Sequence, residues 1–184
     1  NRVASDATVP GSASGTATVT QEDLSVTGAG HLVLVSTAGD ITVNAGTAAS
    51  GAISAATGNV LLQATAGALS LNAALAATGG HISLVAGTTL SQGVDGDIST
   101  TGTGTIDARA NAIAMTDGAV STAVNGNIRY VATTTLTLGA LSTSGNISLS
   151  ASSISDSGTT ETDLTANELR IVTTGVASGN GAVE

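Results

Sequence analysis

The sequence has no Cys, Phe, Trp or Lys, and only one Tyr, one Met and one Pro. Without Cys there is neither a disulfide framework nor a thiolate metal site. A compact globular domain normally fills its wide centre with aromatic rings. A core built without them has to be narrow. Charged residues make up 9% of the chain, far below the usual quarter or so. All four basic residues are Arg, and the net charge is −9. Four scattered Arg make no phosphate track, and the negative balance disfavours nucleic acid and anionic membranes. No run of about 18 apolar residues is present to span a bilayer. The sequence carries no starting Met and no charged-then-apolar leader, as expected of a mature or internal segment.

Against these absences stand 41% hydrophobic residues, nearly all Ala, Val, Leu and Ile, set among Gly, Ser, Thr and Asn. A disordered chain of low charge would lack the aliphatics as well. The 184 residues suffice for one domain. A thin, elongated hydrophobic axis fits both facts.

One phrase recurs: Gly, a small polar residue, an aliphatic, any residue, an aliphatic. It reads Gly58-Asn59-Val60-Leu61-Leu62, Gly80-His81-Ile82-Ser83-Leu84, Gly126-Asn127-Ile128-Arg129-Tyr130 and Gly145-Asn146-Ile147-Ser148-Leu149. Weaker copies begin at Gly30, Gly39 and Gly104, and Asn167-Glu168-Leu169-Arg170-Ile171 keeps the pattern without Gly. The starts at 58, 80, 104, 126, 145 and 167 differ by 22, 24, 22, 19 and 22. Such a period is one coil of a solenoid. Within a coil, period-two alternation marks three short strands, as in Ile128-Arg129-Tyr130, Leu136-Thr137-Leu138 and Ala140-Leu141. No sustained helical period appears.

The fold class expected is therefore all-β: a parallel β-helix, or β-solenoid, of about seven or eight coils of roughly 19–24 residues. Stacking coils at about 4.8 Å places Val60, Ile82, Ile106, Ile128, Ile147 and Leu169 in one inward ladder. Asn59, His81, Asn127 and Asn146 then form a corner ladder, each able to bond to backbone or to its neighbour one coil away. Ala64, Ala86 and Ala132 allow sharp bends. Tyr130 points inward by alternation, with its hydroxyl near a corner. Residues 24–174 form the solenoid, 1–23 an irregular first coil or linker, and 175–184 a linker to a possible next module. Segments 87–103 and 156–163 read as irregular and able to bulge. Gln21–Thr27 echoes Asn167–Thr173, which suggests tandem modules or head-to-tail copies.

The run Asn127–Ala132 with Thr135–Gly139, followed by Asn146–Ala151, resembles the repeats of filamentous haemagglutinin-like bacterial exoproteins, over roughly residues 24–173. That resemblance implies a right-handed parallel β-helix at the cell surface, used in adhesion, biofilm cohesion or sheath building.

Candidates for chemistry are few. Enzymes on β-helices need clustered carboxylates, and the acids here are scattered, so no catalytic residue is assigned. Asp95 and Asp97, with Asp117 one coil on, are the only metal candidates; calcium would want several more oxygen ligands, and a turn is the plainer reading. No other cofactor is expected. His31 and His81 lie two or more coils apart, too far to share a metal. The Thr runs at 16–20 and 133–137 do not repeat as Thr-x-Thr from coil to coil. The functional expectation is a structural module of an extracellular bacterial fibre or adhesin whose partner is itself, joined head to tail. The alternatives are an adhesin module touching a cell-surface glycan or protein through 87–103 and 156–163, and, distantly, a carbohydrate-active enzyme.

Overall fold

In the computed structural model, residues 24–45, 53–158 and 162–175 are described. The expected linkers at 1–23 and beyond residue 175 lie outside them. The described residues contain 20 strands and no helix. Every pairing is parallel, and the strands sort into three sheets of seven, seven and six. Each coil visits the sheets in fixed order. Sheet A holds strands such as Ile98–Thr100, sheet B strands such as Ile106–Ala110, and sheet C strands such as Ala112–Met115. Sheets A and B are each seven strands deep and sheet C six.

The register follows from the side-chain period of two. Sheet B strands read buried–exposed–buried, so every inward residue meets its equivalent above and below. Leu32, Val60, Ile82, Ile106, Ile128, Ile147 and Leu169 are paired in that order. All are buried except Leu169, which is 47% exposed. The second inward row is Leu34, Leu62, Leu84, Ala108, Tyr130, Leu149 and Ile171. Ala64, Ala86 and Ala132 end their strands facing inward and buried.

Glycine is required at the corner before sheet B by close approach. A Cβ on Gly58 would strike the carbonyl oxygen of Gly30; on Gly80, that of Gly58; on Gly104, that of Gly80; on Gly126, that of Gly104. The fifth, Gly145, would bring a Cβ to 2.7 Å from the Gly126 oxygen. Buried threonines secure the same carbonyls: Thr100 Oγ1 donates to Gly80 O and Thr143 Oγ1 to Gly126 O, both at 2.6 Å.

Three expectations change. Segment 87–103 is regular in part, with strands at Thr89–Gln92 and Ile98–Thr100 and turns around them. It looked irregular because Gln92, an inward residue, is polar. The Gly39 phrase is not another start: Ile41–Val43 belongs to sheet C and pairs with Leu69–Leu71. The echo of 21–27 in 167–173 joins inequivalent places, since Leu24 lies in sheet A and Leu169 in sheet B. Of 156–163, Asp156 ends a sheet C strand, and 159–161 fall outside the described residues.

Candidate functional site

Three surfaces and one buried cluster are worth building from their residues. The corner ladder comes first. Asn59 N–H donates to His31 Nδ1 at 3.0 Å, and His81 N–H to Asn59 Oδ1 at 2.9 Å. Thr105 N–H donates to His81 Nδ1 at 3.2 Å. Further along, Asn146 N–H donates to Asn127 Oδ1 at 2.9 Å, and Asn146 Nδ2 to Glu168 Oε2 at 3.2 Å. His31, Asn59, His81 and Asn127 thus each hold a backbone N–H of the next coil, one that the sheet ladder leaves over. Thr105 fills the slot between His81 and Asn127. Sequence reading missed it, although its place in the Gly104 phrase marked it.

The acids serve locally. Asp97 Oδ1 accepts from Val120 N–H at 2.9 Å, one coil on, and Asp40 Oδ1 accepts from Ala68 N–H at 2.7 Å. Asp95 and Asp117 sit on the same C-to-A turns as Asp97 and are exposed. Among the described residues, no three His, Cys, Asp or Glu converge to hold a metal.

Inside the core lies a polar chain. Tyr130, Ser121 and Gln92 are each fully buried. The Tyr130 hydroxyl lies 2.7 Å from Ser121 Oγ, and Ser121 Oγ donates to Gln92 Oε1 at 3.2 Å. Gln92 Nε2 donates to Val120 O at 2.9 Å. Ser121 stands in the row otherwise filled by Ile53, Leu75, Ile98 and Leu141, and Ala108 is the small layer beside Tyr130. Burial pushes the Tyr130 phenol far above its usual range, opposed by the bond to Ser121. The cluster is closed and satisfied, so its role is packing.

The outward faces differ from one another. Sheet A shows solvent the row Ser25, Ser54, Ala76, Ser99, Thr122, Ser142 and Thr165. Sheet C shows Thr42, Ser70, Ser91, Ala114, Thr137 and Ser155. Hydroxyls therefore do propagate along these faces, as single Ser or Thr residues, which the search for Thr-x-Thr overlooked. Sheet B instead bears large side chains. Its outward rows run Val33, Leu61, Ser83, Asp107, Arg129, Ser148, Arg170 and Val35, Gln63, Val85, Arg109, Val131, Ser150, Val172. Three of the four Arg of the chain lie here. Arg109 pairs with Asp107 at 2.8 Å, and Arg129 approaches the same carboxylate at 3.5 Å.

The ends are the third surface. In the last described layer Leu169 and Ile171, both in inward rows, are 47% and 39% exposed. The fold defines the chain as a parallel β-solenoid repeat protein. No protein-family model, no curated protein and no solved structure matches this chain. Among the described residues, no helix is long and apolar enough to cross a membrane.

Proposed function

We propose that this solenoid is a structural module of an extracellular bacterial fibre or adhesin, and that its work is mechanical. The observation that carries this reading is the last layer. Leu169 and Ile171 continue the two inward rows of sheet B, yet stand exposed where every earlier core layer is covered by the next. A following coil, from a neighbouring module or a second copy, would bury them at about 25 cal/mol per Å² of apolar surface. It would also pair the edge of the Glu168–Thr173 strand, which ends its sheet among the described residues. The resemblance to filamentous haemagglutinin-like repeats supports export to the cell surface. The role needs neither catalysis nor a cofactor. A loop-borne contact with glycan or protein is less favoured, because two strands, Thr89–Gln92 and Ile98–Thr100, build part of 87–103 into the sheets.

Sedimentation velocity across a concentration series tests the reading. Self-association that Leu169→Lys and Ile171→Lys abolish would support it. A monomer at every concentration, in wild type and variants alike, would defeat it.

A further inference from the structure

Sheet B and the C-to-A turns lie on opposite sides of the rod, and they carry opposite charge. A coil that visits A, B and C in turn closes through the C-to-A connection, so that connection faces away from sheet B. On sheet B, Arg109 and Arg129 stand one coil apart, about half exposed, with one carboxylate, Asp107, between them. On the turns, Asp95 and Asp97 precede the Ile98 strand and Asp117 precedes the Val120 strand, again one coil apart. The exposed Val94, at 54%, sits beside these acids, and Val85 and Val131 flank Arg109 in its row on sheet B.

The two sets also share an axial level. The turn bearing Asp95 and Asp97 leads directly into the coil of Arg109, and that bearing Asp117 into the coil of Arg129. We infer that sheet B is a docking surface for the C-to-A turns of a second copy of this chain. A sideways translation, with no rotation and no axial shift, brings Arg109 and Arg129 against Asp95 and Asp117 and sets Val94 on the valine row. Such a contact uses different patches on the two partners, so it does not close and continues from copy to copy as a ribbon. It is lateral, and stands or falls separately from axial stacking through Leu169.

The test uses two charge-reversed variants: Arg109→Glu with Arg129→Glu, and Asp95→Arg with Asp117→Arg. Circular dichroism first establishes that both retain the wild-type fold. Particle width is then measured by electron microscopy, and association by sedimentation, at low and high salt. Wild type should form ribbons wider than one rod at low salt that come apart at high salt. Each variant alone should associate roughly tenfold more weakly, the sum of several exposed charge pairs. Their mixture should recover ribbons, because each reversed patch then meets a complementary one. Filaments one rod wide for wild type, or a mixture no better than its parts, would overturn the inference. Filament length is read separately, so loss of width with length preserved rejects the lateral contact alone. Recovery of width on a glycan or unrelated protein, without a second copy, would equally overturn it.

Discussion

The Tyr130 hydroxyl lies 2.7 Å from Ser121 Oγ in the middle of an otherwise aliphatic axis. With Gln92 it forms a polar chain that spans neighbouring coils and leaves no buried side-chain polar atom unpaired among the described residues. Removing one member leaves its buried polar neighbours one partner short. Tyr130→Phe should therefore destabilise by about 1–3 kcal/mol, and Ser121→Ala by a similar amount. The double variant should cost less than the sum, because partners in one network couple. Denaturant midpoints for the four proteins check this.

The same tyrosine gives a pH dependence. Its folded-state pKa is raised by burial above the unfolded value of about 10. Stabilisation from the neutral phenol is thus complete below about pH 10 and is lost as pH rises further. Because Tyr130 is the only tyrosine, phenolate absorbance should appear together with unfolding. Tyr130→Phe should flatten the alkaline loss of stability.

The glycine corner predicts a sharp contrast. A Cβ on Gly126 meets the Gly104 carbonyl, whereas one on Gly28 meets nothing within 4 Å. Gly126→Ala should cost about 1–3 kcal/mol through backbone displacement, and Gly28→Ala should be nearly neutral. Thermal melts of the two variants decide it.

Asn127→Ala takes away the acceptor that holds Asn146 N–H at 2.9 Å. The corner is exposed, so water replaces part of the bond. A loss of about 0.5–1.5 kcal/mol is expected, with faster amide exchange localised at Asn146. Unchanged exchange there would remove the corner ladder from the list of stabilising devices.

Much of this architecture was legible because the solenoid repeats its rules. The Gly–polar–aliphatic phrase announces a backbone contact, a corner bond and an inward ladder together, and Val60 to Ile147 follow from spacing alone. Legibility failed where one coil departs from the others. Gln92 breaks the alternation, and its partners Ser121 and Tyr130 lie 29 and 38 residues away, so only the folded coils show why a glutamine faces inward. Leu32 pairs with Val60, 28 residues on, farther than the common period, which made the Gly39 phrase look like a new start. The charged face of sheet B was hidden for another reason. Arg109, Arg129 and Arg170 appear scattered along the chain and share a face only once the coils are stacked.

Cryo-electron microscopy of wild type beside the Leu169→Lys, Ile171→Lys double variant tests the central claim most directly. The account predicts wild-type rods longer than one chain, with coils continuing at about 4.8 Å across each junction, and variant particles one chain long. Wild-type particles that stay one chain long at high concentration, or variant rods as long as the wild type, would contradict it.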